Sequence, residues 1–206
     1  MEFIKDLLLI LTSVIAIYNI DSWRREHKGK RNIELAEETL ALFYEARDVI
    51  KYIRSPMGLE SETNSITKRD DESETRFEAR KQASVVFVRY DQNRALFNKI
   101  HSYRYRFMAQ VGKDKAKPFE DLNSIISEIF TAARMLAILW AQNYTTNDAL
   151  REKNIQETEK YSAIFYDSKI DPDPINTKLD KIIEYIEETC KGIIIGKGTL
   201  FSILNK

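Results

Sequence analysis

The sequence predicts an all-α protein in which an N-terminal membrane-anchor helix precedes a cytoplasmic antiparallel bundle of about five helices. An apolar run at residues 3–20 is followed by a basic cluster, and most of the later chain has apolar residues three or four positions apart. Only six Gly and four Pro occur among 206 residues, which favours long helices. The predicted parts are an anchor with a basic juxtamembrane segment (1–31), the bundle (32–191) and an apolar tail (192–206).

Residues 3–20 are the predicted membrane anchor. A helix rises about 1.5 Å per residue, so a hydrocarbon core of roughly 30 Å needs about 20 mostly apolar residues. The uncharged part, 7–20, has fourteen residues, and a longer span includes Lys5 and Asp6, which can snorkel and pair near its outer end. A buried core helix and a cleaved secretory signal are the alternatives. The secretory signal is disfavoured because the basic residues follow the apolar run and no small-residue cleavage site is present.

The charges that flank the anchor predict its orientation. Residues 24–31 carry five Lys or Arg against one Glu, whereas residues 1–6 carry one Lys against two acids. Positive flanks remain in the cytoplasm, so the N-terminus is predicted outside and the bulk of the chain inside, with the lipid bilayer as a partner. The residues predicted to lie at the membrane interface are Trp23, Arg24, Arg25, Lys28, Lys30 and Arg31.

Several polar residues within or beside the anchor predict self-association. Lys5, Asp6 and Asn19 are costly in lipid, where polar groups prefer to bond across neighbouring helices. The hydroxyl groups of Thr12 and Ser13 can instead bond to their own helix backbone. We therefore predict a homo-oligomer, and a ring of such anchors could form a pore.

The helices after the anchor are predicted from their apolar spacing and their breakers. Helix 32–54 ends at Ser55-Pro56, and it is either continuous with the anchor or kinked at Gly29. A polar loop covers 57–74, and a very long helical pattern, with its continuity left open, covers 75–111, with Gly112 as its C-cap. Helix 118–143 carries the broadest apolar stripe and is predicted to be central. Two more helices, 148–166 and 175–190, follow, and Gly192 is predicted to stop the last of them.

Composition restricts the classes of function. The 32 basic and 32 acidic residues balance, so the chain lacks the global charge signature of a nucleic-acid-binding protein. The single cysteine, Cys190, excludes an internal disulfide framework, and its position at the end of an amphipathic helix predicts packing rather than nucleophilic chemistry. The sequence contains no Gly-rich phosphate loop and no dinucleotide fingerprint, and it indicates neither a metal site nor a cofactor.

Arg94, Asn98 and His101 form one pattern that carries chemistry. They lie at i, i+4 and i+7, on one face of a helix. A histidine that moves a proton beside a guanidinium that holds a phosphate is what metal-free RNA cleavage needs. The alternative interpretation is structural, with Arg94 and His101 satisfied by Asp, Glu or Tyr side chains inside the bundle.

The spacing Arg-x6-His resembles the R-x(4–6)-H motif of the HEPN ribonuclease superfamily. Those proteins are all-helical and usually dimeric, and they pair their motifs across the dimer. Some membrane-anchored HEPN-like proteins accompany antiphage systems. The resemblance implies a membrane-anchored ribonuclease that uses Arg94 and His101, and RNA is a partner only under this alternative.

Three further segments resemble a group of small, uncharacterised bacterial inner-membrane proteins. They are Trp-Arg-Arg-Glu-x-Lys-Gly-Lys at 23–30, Tyr-Arg-Tyr-Arg-Phe-Met at 103–108 and Gly-Lys-Asp-x-x-Lys-Pro-Phe at 112–119. The resemblance implies a single-pass location in a bacterial inner membrane and brings no activity with it. The leading prediction is therefore a membrane-tethered, self-associating scaffold or effector that recruits a protein partner, in a defence or stress response.

Overall fold

The computed structural model describes residues 2–58, 60–142 and 148–196, and within them every regular element is helical, which confirms the all-α class. Single 3₁₀ turns cover Glu60–Thr63 and Asp114–Ala116. The α-helices are α1 (Glu2–Ile53), α2 (Glu74–Ala83), α3 (Val85–Gln92), α4 (Arg94–Gln110), α5 (Lys117–Gln142), α6 (Asp148–Phe165) and α7 (Pro174–Ile194).

Helix α1 is continuous through Gly29 and joins the predicted anchor to the rest of the protein. Its 52 residues span about 78 Å at 1.5 Å per residue. A Cβ atom added at Gly29 would meet no other atom within 4 Å, so packing does not require glycine there. Every side chain from Leu9 to Arg31 is exposed, and the first fully buried side chains are Leu35 and Ala36. The helix therefore has an exposed N-terminal part and a buried C-terminal part.

The helical pattern over 75–111 is observed, but it is not one unbroken helix. Three helices, α2, α3 and α4, cover this region, with breaks at Ser84 and Asn93. The Ser84 hydroxyl donates to the carbonyl oxygen of Arg80 at 2.7 Å, and the Asn93 amide donates to the carbonyl oxygen of Arg89 at 2.9 Å. Such side chains compete with the backbone for its hydrogen bonds, which apolar periodicity does not register. The predicted stop is observed, because Gly112 follows α4 with a φ of 141°.

The last helix also extends further than predicted. α7 continues through Gly192 to Ile194, and both Ile193 and Ile194 pack against the core. A glycine inside a helix costs only about 1 kcal/mol, which the burial of two isoleucine side chains offsets. Most of the predicted apolar tail, residues 197–206, lies outside the described residues.

The core lies between α1 and its neighbours. The C-terminal part of α1 packs on α7 and α4, and α5 packs on α2, α6 and α7. Helices α1 and α7 run antiparallel, because positions further along α1 contact positions earlier in α7. Tyr44 donates to Glu187 Oε1 at 2.6 Å, whereas Arg54, just after α1, donates to Asp173, just before α7. The apolar stripe of α5 is buried from Pro118 to Leu139, as its periodicity predicts.

One helical stretch among the described residues, Asp114–Gln142, is long and apolar enough to cross a membrane. It lies in the middle of the chain rather than at the N-terminus, and its mean hydropathy over the most apolar window is 1.5. Core helices of soluble proteins meet the same criterion, and this one packs against α2, α6 and α7. The N-terminal anchor at 3–20 therefore stays a prediction.

A fully buried arginine joins the end of α1 to α6 and α7. The guanidinium of Arg54 donates to both carboxylate oxygens of Asp173, at 3.0 and 2.8 Å. It also donates to the carbonyl oxygens of Ala163, Ile164 and Tyr166, at 3.0, 2.7 and 2.8 Å. The last carbonyl groups of a helix have no partners within it, so Arg54 caps the C-terminus of α6. One side chain thus fixes three helix ends.

Asp173 completes this junction as the N-cap of α7. Its carboxylate accepts hydrogen bonds from the backbone N–H groups of Ile175, Asn176 and Ser168, at 2.9, 2.8 and 2.9 Å. Burial favours the neutral acid, but the hydrogen bonds from Arg54 and the backbone outweigh it and lower the pKa of Asp173. The pair is therefore ionised at neutral pH.

A second buried arginine, Arg89 of α3, covers the end of α1 itself. It donates to the carbonyl oxygens of Tyr52 at 3.1 Å, Ser55 at 2.7 Å and Met57 at 2.8 Å. Its Nε atom donates to Glu62 Oε2 at 3.0 Å, within the loop 57–74. These contacts tie the first part of that loop to α3.

We expect Arg54→Met to lower the free energy of unfolding by about 3–5 kcal/mol, because it leaves the Asp173 carboxylate buried without its cation. The measurement is urea unfolding of the detergent-solubilised full chain, followed by circular dichroism. Arg94→Met is the control, since the Arg94 side chain is 64% exposed, and we expect a change within about 0.5 kcal/mol. A loss below about 1 kcal/mol for Arg54→Met would contradict this account of the junction.

Candidate functional site

The most distinctive surface is the exposed apolar segment of α1, residues 9–20. Its large apolar side chains are 51–68% exposed. They occupy all sides of the helix, because consecutive positions such as 9, 10 and 11 point in different directions. They are Leu9, Ile10, Leu11, Val14, Ile15, Ile17, Tyr18 and Ile20. A contiguous apolar surface of this kind marks a membrane or protein contact.

Polar groups within this segment behave in two ways. Thr12 and Ser13 donate to the carbonyl oxygen of Leu9, at 3.0 and 2.8 Å, which confirms the predicted bonds to their own helix. Asn19 is exposed at the opposite end of the segment from Lys5 and Asp6, which are exposed as well. The predicted pairing of Lys5 with Asp6 is not among the ion pairs of the described side chains.

The predicted interface residues follow the apolar segment on the same helix and are all exposed. The Trp23 ring stacks on His27, with 5.5 Å between the ring centroids and an angle of 12° between the planes. No ion pair or hydrogen bond to another described side chain engages the charged members, which are Arg24, Arg25, Lys28, Lys30 and Arg31. An unpaired positive surface thus borders the apolar one.

The three candidate catalytic residues lie on the exposed face of α4. Asn98 and His101 line a groove of about 390 Å³ between α4 and α5, which Arg104 and Glu120 also line. The His101 ring meets Tyr105 edge to face at 5.4 Å. Arg94 is not among the residues that line the groove; it forms an ion pair with Asp91 instead. The structure therefore brings Asn98 and His101 to one groove and leaves Arg94 beside it.

Arg104 is the guanidinium that the groove does contain. It forms an ion pair with Glu120, and its Nε atom is buried without a hydrogen-bond partner among the described atoms. Because Glu120 already neutralises Arg104, the groove has little free positive charge with which to hold a phosphate.

The aromatic and basic run 103–108 divides between core and surface. Tyr103 and Phe107 are buried, and the Tyr103 hydroxyl donates to Glu38 Oε2 at 2.6 Å, which raises the pKa of Tyr103. Tyr105 and Arg106 are exposed. The run is therefore a mixed helical face and offers no continuous platform on which bases could stack.

Sequence reasoning missed the two buried arginines. The position of Arg89 in the sequence indicated that it could be buried. It directly follows the apolar run Val85-Val86-Phe87-Val88, in which no face of the helix is polar. Arg54 had no such signal, since a basic residue before Ser55-Pro56 is an ordinary helix ending. Both arginines serve the fold, and neither lines a groove with the candidate catalytic residues.

Cys190 is fully buried, and burial raises the pKa of its thiol to about 12. The thiolate required for nucleophilic chemistry is therefore disfavoured at neutral pH, in line with the predicted packing role. Among the residues described, no group of three or more His, Cys, Asp or Glu side chains is arranged to hold a metal ion.

Comparison of the chain with protein-family models, with curated proteins and with solved structures finds no match.

The ribonuclease hypothesis makes a separable prediction at Arg94 and His101. Because both side chains are exposed, we expect Arg94→Ala and His101→Ala to change the melting temperature by less than about 2 °C. The hypothesis further requires that the full chain cleaves RNA and that each variant is slower by about 100-fold or more. Lys99→Ala, an exposed change on the same helix, is the control. Equal cleavage by all four proteins would reject the hypothesis.

Proposed function

We propose that this protein is a membrane-tethered helical scaffold whose residues 3–20 insert into a bacterial inner membrane. The observation that carries the proposal is the exposed apolar segment of α1, which continues without a break into a helix that is buried from Leu35 onward. The exposed segment and the buried part of α1 thus belong to one continuous helix. Its exposed part needs an apolar environment that the described residues do not supply.

The free energy of moving its apolar side chains from water into lipid supports insertion of this segment. Full burial of a large apolar side chain contributes roughly 1.5–3 kcal/mol, so eight side chains that are half exposed or more could gain on the order of 10 kcal/mol. Thr12 and Ser13 already bond to their own backbone, which reduces their penalty in lipid. Lys5 and Asp6 lie at the far end, where charges reach the interface.

The unpaired basic cluster at 24–31 supports the orientation of the tether. Positive flanks remain cytoplasmic, so the helical domain is assigned to the cytoplasmic face and the N-terminus to the outer side. The resemblance of segments 23–30, 103–108 and 112–119 to bacterial inner-membrane proteins motivates the choice of membrane. Recruitment of a protein partner, in a defence or stress response, is the role proposed for the tethered domain.

Self-association is the second part of the proposal. Asn19 is a polar side chain close to the inner end of the apolar segment, and it is exposed on the isolated helix. In lipid, an asparagine on one helix is best satisfied by another copy of the same residue on a neighbouring helix. A bundle of anchors joined in this way would bring several cytoplasmic domains together, and a ring of them could form a pore.

The membrane proposal predicts that the full chain stays in the pellet after an alkaline carbonate wash. Leu11→Asp with Val14→Asp should release it, because each charge near the bilayer centre costs about 2.5–3.5 kcal/mol. Met57→Asp with Ile170→Asp is the control, since it places the same charges on two exposed apolar residues outside the anchor. A chain that begins at Asn32 should be soluble, because it keeps every buried core residue. Release of the unmodified chain would overturn the proposal.

The self-association proposal predicts an oligomer for the detergent-solubilised full chain at micromolar concentration, measured by light scattering. Asn19→Leu should weaken the oligomer, because the interhelical hydrogen bond is lost at a cost of about 1–2 kcal/mol. Asn98→Leu makes the same change on the exposed face of α4 and should leave the mass unchanged. A monomeric full chain would reject self-association and leave the tether standing.

A further inference from the structure

We propose that a pocket between the basic face of α1 and the end of α4 binds the headgroup phosphate of an anionic phospholipid. The proposal rests on the membrane tether described above and adds a specific lipid site to it. It differs from a general attraction of positive charge to the membrane, because only some of the basic residues line the pocket.

The pocket has a volume of about 330 Å³ and is formed by two helices. Helix α1 contributes Arg24, Lys28 and Arg31, which are spaced by four and three residues and so share one face. Helix α4 contributes its last residues, Ala109 and Gln110. Helix α1 leaves the core at this level, so the domain closes one side of an otherwise exposed basic stripe.

The charges of the pocket fit an anion. Arg24, Lys28 and Arg31 have no acidic partner among the described side chains, and no Asp or Glu lines the pocket. The C-terminus of α4 adds a partial negative charge of about half a unit, which three full positive charges outweigh. Two guanidinium groups and an ammonium group offer several charge-assisted hydrogen bonds to phosphate oxygens.

Gln110 adds an uncharged polar side chain to the lining of the pocket. An amide side chain both donates and accepts hydrogen bonds, so it can bind hydroxyl groups. A headgroup that carries hydroxyl groups beside its phosphate, such as the glycerol headgroup of phosphatidylglycerol, therefore matches both the charged and the polar residues of the pocket.

The position of the pocket distinguishes a lipid from a soluble phosphate. Arg24 follows Ile20, the last apolar residue of the exposed segment, by four residues, or about 6 Å along the helix. Trp23, a residue type that favours the membrane interface, lines the same pocket. If residues 3–20 insert, the pocket lies at the depth of the headgroups.

The test is a titration of the detergent-solubilised full chain with dioctanoyl phosphatidylglycerol, with bound lipid counted by native mass spectrometry. We expect the double variant Arg24→Gln with Lys28→Gln to bind at least about tenfold more weakly. The matched control is Arg25→Gln with Lys30→Gln, which removes the same two charges from the same cluster but outside the pocket, and we expect a change below about threefold. Ala109→Glu, which adds a negative charge from α4 alone, should also weaken binding.

Three results would overturn the inference. Equal losses in the two double variants would indicate diffuse attraction without a pocket. Equal binding of dioctanoyl phosphatidylcholine would show that the anion is not selected. Displacement of the lipid by an equal concentration of inorganic phosphate or of an RNA oligonucleotide would assign the site to a soluble phosphate group. A carbonate wash of the same proteins separates the two proposals, because a chain that stays in the pellet without headgroup selectivity fails only this one.

Discussion

The pairing of Arg54 with Asp173 is the interaction on which the helical domain depends. Removing both charges from water is costly, and the structure offsets that cost by giving the guanidinium three backbone carbonyl acceptors besides the Asp173 carboxylate. Those acceptors are the free carbonyl groups at the end of α6, while Asp173 caps the first N–H groups of α7. The link between α6 and α7 is therefore closed onto α1 by hydrogen bonds rather than by apolar contact alone.

Arg89 applies the same principle to the end of α1, so both buried cations lie at one end of that helix. This end is fixed by directional bonds to three other elements. The opposite end carries apolar and basic side chains that are exposed at every position from Leu9 to Arg31. The buried arginines that stabilise the fold and the exposed apolar surface thus lie at opposite ends of α1. The exposed surface therefore does not weaken the core.

Much of the fold could be predicted from periodicity, because apolar spacing reports which face of a helix is buried. The stripe on α5 is an example. The breaks at Ser84 and Asn93 could not, since they depend on side chains that bond to the local backbone. Nor could the role of Arg54, whose partners lie more than 100 residues away. For the site, composition indicated the apolar segment and its basic border. No spacing rule shows that Arg94 pairs with Asp91 and does not line the groove of His101.

The continuity of α1 couples the orientation of its exposed segment to that of the helices packed on its buried part. A helix turns by about 100° per residue, so the number of residues between Ile20 and Leu35 sets the angle between the side of the helix that carries Asn19 and the side that packs on α7. Insertion or removal of a single residue in this interval would rotate the exposed segment by about 100° relative to the buried part of the helix, while changing its distance from the core by only about 1.5 Å. The length of this interval therefore determines which side of the exposed segment lies above α7.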